Sequence, residues 1–145
     1  MTGVTGIMAA GIVNRLFSAR ATASQTFATN TTQTTLNVST LAGYRAGSTD
    51  VTVTVNSGIY LYSTDTATPA LTITGATAGD TVTLVNNGFI IGKGGQGANG
   101  SLASINVNGL VGGPALSLGF NCSITNNWDD LQCFSTTSLT EGKNI

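Results

Sequence analysis

Val51-Thr52-Val53-Thr54-Val55, then Asn56-Ser57-Gly58, then Ile59-Tyr60-Leu61-Tyr62, carries the clearest structural pattern in the chain. Valine and threonine alternate with strict period two, the spacing of a strand with one buried and one exposed face. Asn56-Ser57-Gly58 supplies a turn or bulge, and Ile59 and Leu61 then alternate with Tyr60 and Tyr62 in a second strand. The valines are expected to face a core. The threonines and tyrosines are expected to face outward or toward a neighbouring chain.

The same grammar extends in both directions. Leu36 and Val38 alternate with Thr35 and Asn37 in a short strand, and 39–47 reads as an N-capped helical turn closed by glycine. Downstream, Leu71 and Ile73 alternate with Thr72 and Thr74, and Val82 and Leu84 with Thr81 and Thr83. Asn86-Asn87-Gly88 then turns into Phe89-Ile90-Ile91. An internal repeat accompanies this pattern: Pro69-Ala70-Leu71-Thr72 … Asn86-Asn87 returns as Pro114-Ala115-Leu116-Ser117 … Asn126-Asn127, the two prolines lying 45 residues apart. Two stacked β-layers joined by a glycine-rich excursion is its simplest meaning. Asparagines at successive turns can stack on one another or bond backbone groups, as in β-solenoids.

The expected fold is therefore all-β, with short antiparallel or solenoid-like strands and a glycine-rich loop over 92–113. Residues 1–33 read as an N-terminal attachment arm and linker, and 34–145 as the β-rich domain. Within the arm, Ile7, Met8, Ile12, Val13, Leu16 and Phe17 suit a short amphipathic helix, while Gly3, Gly6 and Gly11 suit an extended arm.

Composition narrows the function. Only 8% of the 145 residues are charged, against about 25% in an average soluble domain. The surface is made polar by 25 Thr, 12 Ser and 13 Asn instead. Five Lys+Arg against six Asp+Glu provide no basic patch for phosphates, so nucleic acid is not an expected partner. No run of 18 apolar residues exists to span a membrane. There is no histidine, which removes histidine-based nucleophilic triads and histidine metal sites. No enzyme activity, cofactor or metal is expected. Gly92-Lys93-Gly94-Gly95-Gln96-Gly97 matches G-x-G-x-x-G by letter but lacks the helix and the downstream acid of a dinucleotide site. Asp50, Asp65 and Asp80, spaced by 15, read as turn caps. Cys122 reads as a small buried hydrophobe, and Cys122 and Cys133 are free thiols or one disulfide.

Several of these motifs form a series: Val51 to Tyr60, Thr68-Pro69-Ala70-Leu71-Thr72-Ile73, Val85-Asn86-Asn87-Gly88-Phe89-Ile90-Ile91-Gly92-Lys93-Gly94-Gly95, Gly113-Pro114-Ala115-Leu116-Ser117-Leu118-Gly119 and Ser123-Ile124-Thr125-Asn126-Asn127. Over about residues 34–127 it resembles the glycine-rich distal regions of tailed-bacteriophage tail-fibre and tail-tip proteins, including the C-terminal part of some host-specificity (tip attachment) proteins. The resemblance implies a virion protein of a tail or surface appendage that contacts a bacterial surface receptor or glycan. It further implies that the chain joins other virion proteins through its N-terminal region. Strand-rich chains leave edges that invite association, so a homotrimer is the expected assembly, with a monomeric β-sandwich as the alternative.

Lys93, Gln96 and Asn99, spaced by three on the glycine run, are the expected receptor contacts, because an extended three-fold backbone projects them on one side. Trp128, the sole tryptophan, joins them as an aromatic at a turn exit. Two other readings compete. One is a capsid decoration, head-fibre or connector protein with no receptor. The other is a glycan-binding or glycan-cleaving module in which Trp128 stacks on a sugar beside Asp129 and Asp130.

Overall fold

A computed structural model describes residues 19–98 and 109–127. Their regular structure is almost entirely strand: β1 (Ala21–Phe27), β2 (Thr31–Thr32), β3 (Thr34–Asn37), β4 (Thr49–Val55), β5 (Tyr60–Tyr62), β6 (Leu71–Thr74), β7 (Thr81–Asn86), β8 (Phe89–Ile91), β9 (Leu116–Leu118) and β10 (Ser123–Asn126). All-β is the observed class. The helix or arm expected near the N-terminus falls outside the described residues.

Every pairing is parallel. The first sheet runs β1-β4-β7-β10, the second β2-β5-β8 and the third β3-β6-β9. The chain visits the three sheets in turn and returns to the first, so each circuit stacks on the one before. This is a three-sided β-solenoid, and the antiparallel alternative is set aside. The reason lies in the turns. Asn87 N–H donates to the Val55 carbonyl and Phe89 N–H to the Ile59 carbonyl, at 2.9 and 2.8 Å. The turn's peptide groups thus bond to the circuit below rather than across a hairpin, and the chain rounds a corner instead of reversing.

The alternating residues behave as their pattern demands. Val51, Val53 and Val55 point inward in register with Ala23, Gln25 and Phe27 below and with Val82, Leu84 and Asn86 above. Leu61, Leu71 and Ile73 close the core from the other two sheets, all fully buried. Each such side chain contributes about 1.5–3 kcal/mol by leaving water. The internal repeat is the stacking itself: Leu71 pairs with Leu116 and Ile73 with Leu118 in the third sheet, and Asn86 with Asn126 in the first.

Four local expectations are corrected. The helical turn expected over 39–47 is a single 3-10 turn, Val38–Thr40, capped by Asn37, whose Oδ1 accepts from Ser39 N–H at 3.1 Å. Val38, read as part of a strand, is the buried residue of that turn, because the backbone must already bend from the third sheet to the first. Asp50 is a strand residue rather than a turn cap, paired to Arg20 at 2.7 Å. Strands β1 and β2 lie in the stretch read as linker. Only Ala23 of β1 is fully buried, so its place comes from ladder hydrogen bonds to β4, which apolar periodicity does not report.

Asparagines do stack at one corner. Asn86 Nδ2 donates to Asn126 Oδ1 at 2.9 Å and Asn127 Nδ2 to Asn87 Oδ1 at 2.5 Å, while Asn86 Oδ1 accepts from Gly88 N–H. Asn86→Ala removes both bonds of that side chain and is expected to cost about 1–3 kcal/mol in urea unfolding. A wild-type midpoint in that variant would deny the ladder a stabilising role.

Candidate functional site

The corner between the second and third sheets changes from circuit to circuit. It is Gln33 alone in the first, residues 63–70 in the second and residues 92–115 in the third. Loops on a rigid scaffold are where binding residues concentrate, and only this corner grows steadily along the solenoid.

The three levels are joined to one another. Gln33 takes up left-handed backbone, with φ of 45°, so that a single residue makes the turn. Its Nε2 donates to Asp65 Oδ2 at 2.5 Å and to Ser63 Oγ at 3.4 Å. Asp65 Oδ1 in turn accepts from the N–H groups of Ala67 and Thr68 at 2.8 and 2.6 Å. Above them, Lys93 Nζ donates to the Thr64 carbonyl at 2.7 Å. Gly113 sits over Thr66, whose Cα would lie 2.7 Å from an added Cβ.

Beyond this root the excursion rises as two limbs. Gly113 N–H donates to the Lys93 carbonyl at 2.7 Å and Leu110 N–H to the Gln96 carbonyl at 2.8 Å. The limbs run antiparallel, and the bonds recur every third residue on both. A β-ladder repeats every second residue, whereas polyproline-II backbone repeats every third. Such pairing holds the limbs so close that a Cβ at Gly95 would collide with the Leu110 carbonyl oxygen. Glycine at 95 is required by that approach.

Of the expected contact residues, Lys93 and Gln96 both lie on the first limb and are exposed. They do not act alike: the Lys93 ammonium turns back onto the Thr64 carbonyl, so its stem braces the limb against the solenoid. Asn99 and Trp128 lie outside the described residues, as do Asp129, Asp130 and Cys133. Two residues that the sequence reading passed over are prominent on the second limb. Leu110 is 68% and Val111 83% exposed. The available signal was an aliphatic pair between glycines, Gly109-Leu110-Val111-Gly112, where nothing demands a core.

Among the described residues the carboxylates are committed to structure. The backbone N–H groups of Thr68 and then Ala67 hold the Asp65 carboxyl below its ordinary range. For Asp80 burial works to raise the pKa, but hydrogen bonds from Tyr44, Thr77 and Thr49 outweigh it and hold the carboxyl well below the usual range. Burial pushes the Cys122 thiol up, partly offset by the Leu84 backbone. Among the described residues no group of three or more His, Cys, Asp or Glu side chains could hold a metal ion.

A pH dependence follows. With folded pKa values below those of the unfolded chain, the two aspartates contribute stability that is fully present above about pH 4. It fades as pH falls below that value toward their depressed folded values. Thermal midpoints should be flat from pH 7 to about 5 and fall below about 4. Asp80→Asn should lower the neutral-pH midpoint and flatten the acid limb. An unchanged acid limb would show that Asp80 contributes nothing to it.

Residues 21–129 match the family model described as phage tail fibre adhesin Gp38. The match begins on the first residue of β1 and takes in all ten strands together with the excursion. No curated protein and no solved structure matches the chain.

Proposed function

This chain belongs to the phage tail fibre adhesin Gp38 family, and from that premise we propose that its glycine-rich corner makes the contact with the bacterial surface receptor. An adhesin of this family is a component of the virion's tail appendage and serves host recognition. The reading as a capsid decoration or head-fibre protein lacks such support.

One observation carries the proposal. A single corner lengthens over three circuits and ends in paired glycine limbs that expose Gln96, Leu110 and Val111. Glycine limbs add reach without bulk, and the solenoid below supplies rigidity. Recognition then rests on side chains carried near the limbs' outer end, while the corner stack of Gln33, Asp65 and Thr64 fixes where that end sits. The work is binding rather than chemistry, in keeping with an adhesin family. Homotrimeric assembly and attachment through the N-terminal region complete the proposal. Mass photometry of the purified protein tests the trimer.

Cell-binding assays with single substitutions test the contact residues. Gln96→Ala, Asn99→Ala and Trp128→Ala are each expected to weaken binding several-fold with the melting temperature unchanged. Lys93→Ala should weaken binding through loss of its brace to Thr64. A Trp128→Ala protein that melts several degrees early yet binds normally would assign Trp128 to the core. Release of reducing ends from host glycans, abolished by Asp129→Asn or Asp130→Asn, would instead favour a cleaving module.

A further inference from the structure

The three outer faces of the solenoid are not alike. On the first sheet the outward residues are mostly hydroxylic, Ser24, Thr52, Thr83 and Ser123 forming one row. The third sheet turns Thr35, Thr72 and Ser117 outward in the same way. The second sheet presents Tyr60, Tyr62, Phe89 and Ile91, with Thr32 at its edge. Tyr60 is 42%, Tyr62 41% and Ile91 42% exposed. Tyr60 and Phe89 stack with ring centroids 4.6 Å apart and planes within 10°.

We propose that this face of the second sheet is a subsite for a neutral saccharide unit of the host cell's surface polysaccharide. The proposal rests on the adhesin reading and adds a ligand class and a location separate from the glycine limbs.

Size and charge choose the occupant. Strands of two or three residues at about 3.3 Å per residue, spaced about 4.8 Å apart, give a face about 10 Å on a side. That is on the order of 100 Å², far below the ~800 Å² that each partner commits to a stable protein interface. It suits one or two sugar rings. No residue of the three strands is charged, so nothing there answers a phosphate, a carboxylate or an ammonium group. Tyrosine offers an apolar ring to the C–H face of a sugar and a hydroxyl to its polar rim. The Tyr60–Phe89 stack holds two of the rings in place before binding, which lowers the ordering cost.

Titration calorimetry of the purified full-length protein with the isolated surface polysaccharide of an adsorbing strain tests this. Tyr60→Thr and Tyr62→Thr replace the ring with a β-branched residue that suits an outward strand position, and their melting temperatures are measured alongside. Wild type should bind, and each substitution should raise Kd at least ten-fold without lowering the melting temperature. Thr52→Ala, on the outer row of the first sheet and away from both sites, should keep full polysaccharide affinity. Absence of polysaccharide binding by wild type, or equal affinity in the tyrosine variants, would overturn the subsite. So would a tyrosine substitution that changes the particle mass in mass photometry, because a second copy of the chain would then cover the face. Failure of the corner as receptor contact reads differently: replacing residues 92–113 with the Ser63–Thr68 sequence would leave adsorption to whole cells undiminished.

Discussion

Replacing residues 92–113 with the Ser63–Thr68 sequence is expected to weaken binding to whole host cells about 100-fold, a loss of roughly 2.7 kcal/mol, while the protein stays folded. The exchange fits because the second circuit already makes this corner with fewer residues. Leu61 and Ile90 are register partners before it, and Leu71 and Leu116 after it. Pro69-Ala70 and Pro114-Ala115 are the same dipeptide, and Ala70 and Ala115 are both buried. The swap removes the limbs bearing Gln96, Leu110 and Val111 and leaves the core residues in place. Loop length itself has a small cost in stability, about 0.6 kcal/mol per doubling, so shortening should not destabilise. Competition with phage adsorption and a thermal melt decide the outcome. Undiminished competition by the shortened protein would move the receptor contact elsewhere.

Gly88→Val is expected to prevent folding. A Cβ at this buried position would lie 2.5 Å from the Asn56 and Ile59 carbonyl oxygens and 2.9 Å from Val55 Cγ1. Those oxygens are bound in place: Asn56 accepts from Ile59 N–H and Ile59 from Phe89 N–H. Making room means breaking bonds between circuits, at a cost of about 4–5 kcal/mol or more, against a total stability of roughly 5–15 kcal/mol for a domain. Gly94→Ala is the control, since nothing lies within 4 Å of its added Cβ. Soluble yield and urea unfolding should separate the two clearly. A Gly88→Val protein with a cooperative wild-type transition would show that this corner is looser than its contacts indicate.

Much of this was readable beforehand, for an identifiable reason. Valine at 51, 53 and 55 announces its burial within five residues, as do Leu71 with Ile73 and Val82 with Leu84. The asparagine ladder was legible because the repeat placed Asn86-Asn87 and Asn126-Asn127 in equivalent turns. Strand β1 was not, since Ala-Thr-Ala-Ser-Gln-Thr carries almost no apolar signal and is held by its partner's backbone. Nor was the brace from Lys93, whose acceptor lies 29 positions earlier on a different loop. The limbs' three-residue pairing could be suspected from glycine content, but its register could not.

Local alternation was enough to place the strands around Val51–Val55, Leu71–Ile73 and Val82–Leu84 and their inward side chains, because alternation and burial are settled between neighbours one and two residues apart. The resemblance to phage tail-fibre proteins rested on the same local motifs, and membership of the adhesin family rests on the match over residues 21–129. Parallel pairing came from the three-dimensional fold, since each ladder joins residues from successive circuits, such as Val51 with Val82 or Leu71 with Leu116. That fold alone brought Gln33, Asp65 and Lys93 to one corner and set Tyr60 on Phe89. Hydrogen bonds between circuits made those choices, and no local pattern encodes which distant peptide group will accept them.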